Sequence, residues 1–129
     1  MNRSIEGVSI TEAMSRDPIT ARADATVATL VSLMTEYHIS CVPIVDEDKR
    51  PTGIVTKLDL LECANEGRSS AREVMMPHAM TLRSDASLKS AAELMAREGF
   101  HHVLVVDDSR ALVGIVSTFD ITRWVAQQA

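Results

Sequence analysis

The stretch Gly53-Ile54-Val55-Thr56-Lys57-Leu58-Asp59-Leu60 is met twice, because sixty-one residues later the chain reads Gly114-Ile115-Val116-Ser117-Thr118-Phe119-Asp120-Ile121. Each copy has a Gly, two β-branched apolar residues, a hydroxyl residue, and an Asp three positions after that hydroxyl. The apolar pair suits the end of a buried strand. A hydroxyl residue followed at three by a carboxylate suits the start of a helix. The motif therefore predicts, twice, a strand that hands over to a helix at Thr56 or Ser117.

Outward from the motif the repetition continues. A shift of 61 aligns Ser9–Leu61 with Ser70–Thr122 without a gap, and 16 of the 53 pairs are identical. One unit is used twice, with repeats at 8–66 and 69–127. Each opens with Ser-x-x-Glu (Ser9…Glu12, Ser70…Glu73), a capping-box pattern that predicts short helices through Met14 and Met75. Pro18 and Pro77 end those helical paths. Ile19-Thr20-Ala21 and Met80-Thr81-Leu82 read as short extended pieces. Thr26 and Ser87 cap longer helices, whose Val27, Leu30, Val31, Met34 and Leu88, Ala91, Ala92, Met95 follow i, i+3, i+4, i+7. At that spacing the methionines are core rather than a cofactor face.

Cys41–Val45 and His102–Val106 are continuous apolar runs, hence buried strands. Pro43 cannot donate to a ladder, which places it at an edge or a strand start. Turns at 46–52 and 107–113 lead into the motif strands. Helices Lys57–Ala64 and Thr118–Ala126 follow, with Asn65–Ser69 as the linker and Gly67 as a stop. The fold class is α+β, each repeat a short helix followed by βαββα. Halves of about 60 residues bury too little surface alone, so the two should pack on each other.

Composition narrows the function classes. Of 129 residues 46% are hydrophobic and 3% aromatic, so the core is aliphatic; the net charge of −5, without a basic cluster, argues against a nucleic-acid surface. No apolar run is long enough for a membrane span, and no signal-peptide pattern follows Met1-Asn2-Arg3-Ser4. Cys41 and Cys63 form no CxxC and read as structural thiols of a reducing compartment. A soluble cytoplasmic protein is expected. No P-loop, GxGxxG or Ser/His/Asp set is recognisable, so an enzyme is not supported. His101 and His102 alternate to opposite faces and do not make a metal site.

Two tandem copies of this order, each ending in Gly-Ile-Val-(Thr/Ser)-x-x-Asp, resemble the cystathionine-β-synthase (CBS) domain pair, or Bateman module. Val-Pro-Ile-Val-Asp ahead of the first motif and Val-Leu-Val-Val-Asp ahead of the second fit the same pattern. The resemblance spans about residues 8 to 127. It implies two repeats packed with pseudo-twofold symmetry and clefts between them that hold AMP, ADP, ATP or S-adenosylmethionine as regulatory ligands. It also implies a homodimer of modules that controls an effector protein, here in trans.

The motif residues make chemical sense of that. A ribose presents two adjacent hydroxyl donors that one carboxylate can accept, which points to Asp59 and Asp120. Thr56 and Ser117 stand at helix N-termini, which favour a phosphate. Lys57 adds a charge that its counterpart Thr118 lacks. By the resemblance, adenine is read by backbone around Ile19, Thr20, Met80 and Thr81, between walls from Ile39, Val42, Pro43, Phe100 and Val103. His101, Arg16 and His78 are further phosphate candidates. Thr56-x-x-Asp59 and Ser117-x-x-Asp120 are equally capping boxes, and a cap and a ligand contact are compatible. The alternative is a ligand-free scaffold that dimerises or recruits a partner through exposed Leu60, Leu61, Trp124 and Val125.

Overall fold

Both motif strands turn into helices at their hydroxyl residue, as the pattern predicts. The computed structural model describes residues 4–63 and 66–128. A 3₁₀ turn at Ile10–Glu12 leads to β1 (Ser15–Arg16), α1 (Val27–Tyr37), β2 (Cys41–Val45), β3 (Pro51–Thr56) and α2 (Lys57–Glu62). Then come α3 (Ala71–Val74), β4 (Met76–Pro77), β5 (Thr81–Arg83), α4 (Leu88–Glu98), β6 (His102–Val106), β7 (Leu112–Ser117) and α5 (Thr118–Ala126). Five α-helices and two sheets among the described residues make the mixed α+β class expected. Ala64, the last residue of the first expected motif helix, and Asn65 of the linker lie outside the described residues.

The chain divides into two compact units. One is Pro18–Ala79; the other joins the residues up to Asp17 to those from Met80 onward. The sequence repeats and the compact units are thus different divisions of the chain. Residues 9–17, which open the first repeat, sit with the strands of the second. Residues 70–79, which open the second, sit with those of the first.

The junction is a backbone contact. In the contiguous unit β3 pairs antiparallel with β4 (Gly53↔Pro77, Ile54↔Met76), completing the sheet β2-β3-β4. In the discontinuous unit β1 pairs antiparallel with β7 (Ser15↔Ile115, Arg16↔Gly114), in the order β1-β7-β6-β5. The motif glycines make room for this. A Cβ on Gly53 would stand 2.8 Å from the Met76 carbonyl oxygen and 2.6 Å from the Met75 sulfur. On Gly114 it would stand 3.0 Å from the Ser15 carbonyl oxygen and 2.5 Å from the Met14 sulfur. Sheet pairing also explains why the first expected helix is cut short. Its regular turn ends at Glu12 rather than Met14, because Ser15 and Arg16 give their backbone to β7. The second ends at Val74, with Met75 already extended.

Each unit has its own core. Leu30, Met34, Val42, Ile44, Val55, Cys63, Ala71 and Val74 fill the contiguous one. Val8, Ile10, Leu88, Ala91, Met95, Val103, Val105, Val116 and Trp124 fill the other. Met34 and Met95 are core, as their spacing predicts. Val31, expected on the same stripe, is 46% exposed. Cys41 and Cys63 are buried free thiols.

Pro43 falls in the middle of β2, which is the edge strand of its sheet. Its missing N–H has a visible effect. In the discontinuous unit Leu104 N–H donates to the Met80 carbonyl at 2.9 Å, and β5 runs parallel to β6 over three residue pairs. Pro43 stands where Leu104 does and cannot make that bond. The segment equivalent to β5 is reduced to a single bridge, Ala21↔Ile44.

Candidate functional site

The two strand-to-helix corners are built alike. Thr56 is extended (φ −107°, ψ 165°) and its hydroxyl accepts the Asp59 N–H at 3.2 Å; Asp59 Oδ2 accepts the Thr56 N–H at 2.8 Å. Ser117 (φ −105°, ψ 166°) and Asp120 repeat this at 3.0 and 2.8 Å. Both are reciprocal capping boxes, as the spacing of the motif predicts. At each corner the next N–H is also used: Lys57 donates to the Ser40 carbonyl at 2.9 Å, Thr118 to the His101 carbonyl at 3.0 Å. The first turn therefore offers fewer free N–H groups to a phosphate than a bare helix start does.

The carboxylates differ. Asp120 is 8% exposed, and its Oδ1 accepts from Arg123 Nη2 at 2.9 Å. The Arg123 guanidinium also lies 5.4 Å from the centre of the Phe119 ring. Asp59 is half-buried, and position 62, which corresponds to Arg123, is Glu62. Sequence reading passed over Arg123, although its i, i+3 spacing from Asp120 was a usable signal.

The other expected contacts divide by exposure. Lys57, Thr118, His101, Thr20 and Thr81 are exposed, whereas Ile19 and Met80 are half-buried. Ile19 and Thr20 belong with the Asp59 corner's unit, Met80, Thr81 and His101 with that of Asp120. Val42 and Val103 are fully buried members of the two cores, and Pro43 is buried as well. Of the expected walls, Ile39 and Phe100 keep some surface. Arg16 and His78 are exposed; Arg83 pairs with Asp108.

His102 is the ladder partner of Ser117 and is half-buried. Burial pushes its pKa down, the neighbouring His101 adds to this, and the Asp120 carboxylate opposes it. Among the described residues no group of three or more His, Cys, Asp or Glu is placed to hold a metal ion. None of the described helices is long and apolar enough to cross a membrane.

Each unit also carries a groove beside its corner. In the contiguous unit Val31, Met34, His38, Lys57, Leu60 and Leu61 line a pocket of about 590 Å³. In the other, Met95, Phe100, His101, Thr118, Ile121 and Thr122 are among the residues around one of about 370 Å³. Lys57 and Thr118 face these grooves; Asp59 and Asp120 do not line them.

The CBS domain family model matches the chain twice, at residues 9–66 and 71–127. L-aspartate semialdehyde sulfurtransferase of Methanocaldococcus jannaschii is 30% identical over 114 residues, which are 88% of this chain and 22% of that protein. The uncharacterized protein MK0525 of Methanopyrus kandleri is 33% identical over 124 residues, 92% of this chain and 63% of that protein. The chain thus spans less than two thirds of either relative. Among solved structures, the CBS domain pair of protein MJ0100 in complex with 5′-methylthioadenosine and S-adenosyl-L-methionine has a TM-score of 0.89. It is 28% identical, with 95% of this chain and 98% of that one covered.

Proposed function

The chain belongs to the CBS domain family, as a tandem pair, and from that premise we propose that it is a regulatory module sensing an adenosine-containing ligand. AMP, ADP, ATP and S-adenosylmethionine are the candidates. The observation that carries this is the hydroxyl–carboxylate corner, present once in each unit, in a chain that resembles a CBS pair in complex with two adenosine derivatives. A ribose supplies paired hydroxyl donors, and a carboxylate already oriented by a backbone N–H is a suitable acceptor. Lys57 supplies a cation for a phosphate; Thr118 does not.

We read the module as regulatory rather than catalytic, working in the cytoplasm and controlling a partner protein in trans. Ligand acts by binding one state of the module more tightly than another. A homodimer is part of the proposal. A ligand-free scaffold, the second reading, would use Leu61 (74%) and Val125 (56%), which are exposed as expected, with Leu58 (60%) and Phe119 (66%); Leu60 is half-buried, and Trp124, expected to be exposed, lies instead in the core of its unit.

The test is the thermal midpoint of the purified protein against AMP, ADP, ATP, S-adenosylmethionine and NADH. A ligand at about 100 times its dissociation constant adds about 2.7 kcal/mol, a readily visible shift. Asp59→Asn with Asp120→Asn should remove it and leave the oligomeric state unchanged. If no ligand moves the midpoint, the scaffold reading replaces the sensor.

A further inference from the structure

We infer that the two corners are unequal, with Arg123 occupying the Asp120 carboxylate from within the chain so that ligand recognition runs through Asp59 alone. The inference rests on the adenosine-ligand reading above and adds which carboxylate serves it.

At Asp120 both oxygens are engaged. Oδ2 accepts the Ser117 N–H at 2.8 Å and Oδ1 accepts Arg123 Nη2 at 2.9 Å. The pair is nearly closed on the acid side, with the Asp120 side chain 10% exposed against 48% for Arg123. The Arg123 guanidinium also lies over the Phe119 ring, a second contact that favours this placement of its side chain. A ribose arriving at Asp120 would have to reach a carboxylate whose side chain is 10% exposed and compete there, with neutral hydroxyl donors, against a charge-assisted hydrogen bond. An i, i+3 partner is present at its full local concentration whether or not ligand is present.

At Asp59 the competitor is absent by sequence. Glu62 stands where Arg123 would, and a carboxylate has no proton to donate at neutral pH. Among the described residues, the Asp59 carboxylate accepts the capping bond from the Thr56 N–H to Oδ2 and has no cationic partner. Asp59 is more exposed than Asp120, and the neighbouring Lys57 is exposed. The substitution pattern runs in one direction: the repeat that keeps a Lys for an anionic ligand also lacks the internal Arg.

Calorimetric titration of the full chain with AMP, and separately with S-adenosylmethionine, tests this. The wild-type chain should bind with a single site per chain. Asp59→Asn, which keeps an oxygen for the Thr56 N–H, should weaken binding about tenfold or more, the worth of one lost charge-assisted hydrogen bond. Arg123→Gln, at a half-exposed position where folding is expected to survive (checked by circular dichroism), should free Asp120 and raise the stoichiometry towards two. Equal wild-type sites, a single site lost through Asp120→Asn, or an Arg123→Gln protein that still binds once or more weakly would each overturn the inference. Failure of the wild-type chain to bind either ligand would instead remove the adenosine reading itself.

Discussion

The two units grow from one repeat and fill their cores by opposite distributions of bulk. Where the contiguous unit places Leu30 on its long helix, the discontinuous unit has Ala91; where the first has Cys63 beyond its motif helix, the second has Trp124. All four are buried. Large with small in one core is answered by small with large in the other. Cores tolerate such exchange when total volume is kept. Apolar patterning is what the repeats share, and the detailed packing is private to each.

That comparison can be broken. Trp124→Ala should cost about 3–5 kcal/mol and Leu30→Ala about 2–5 kcal/mol, the usual range for buried large-to-small changes. The informative protein is Leu30→Ala combined with Cys63→Trp, which writes the other unit's solution into this one. It should lose clearly less stability in urea melts than the two single changes summed. A fully additive result would show that the two pairs are not compensating.

Next in size is the motif glycine. Gly53→Ala should cost about 1–3 kcal/mol through overpacking. Gly114→Ala should cost less, since its Cβ would meet the Ser15 carbonyl at 3.0 Å rather than the Met76 carbonyl at 2.8 Å. Equal losses in thermal melts would mean that the methionine side chains, not the strand backbones, set the limit.

A smaller effect is expected where the long helices end. His38 closes α1 in the left-handed region (φ 54°), where Gly99 closes α4 (φ 73°). His38→Gly should stabilise by about 1 kcal/mol, because a Cβ is disfavoured there. Gly99→His should do the reverse.

The smallest effect concerns pH. The folded-state pKa of His102 lies below its ordinary 6.5, chiefly through burial. A lowered histidine pKa means the unfolded chain takes up the proton first, so stability is complete above about pH 6.5 and falls as pH drops towards the folded value. Its counterpart in the contiguous unit is Cys41. Amide exchange at pH 5.5 against 7.5 should loosen the discontinuous unit first, and His102→Gln should flatten the difference. Glu73, whose pKa is lowered chiefly by the Ser70 hydroxyl, belongs to a separate window below pH 4.5.

How much of this was legible follows from the range of each interaction. β2, β6 and α5 have the bounds read from the sequence, because continuous apolar runs and capping boxes are local signals. β1 and β4 were not foreseen. Two residues of strand have no period of their own, and their partners lie about a hundred and about twenty residues away. Val31 fits the helical stripe, yet in α1 it faces a groove instead of the core. At the corners the cap geometry was fully readable, whereas the burial that separates Asp120 from Asp59 depends on packing that no spacing encodes. Pro43 was placed correctly at an edge, but its cost to the neighbouring segment needed the other unit for comparison.

The offset between repeat and unit also sets an order of events. Everything the unit Pro18–Ala79 needs is on one uninterrupted piece of chain, so it can condense as soon as residue 79 has left the ribosome. The other unit must hold its first strand in reserve while 62 intervening residues are made and folded. Only with β7 synthesised does β1 find its place, and closing so long a loop carries the larger entropic toll. Refolding should accordingly show two phases, the slower one reported by Trp124, the single tryptophan of the chain.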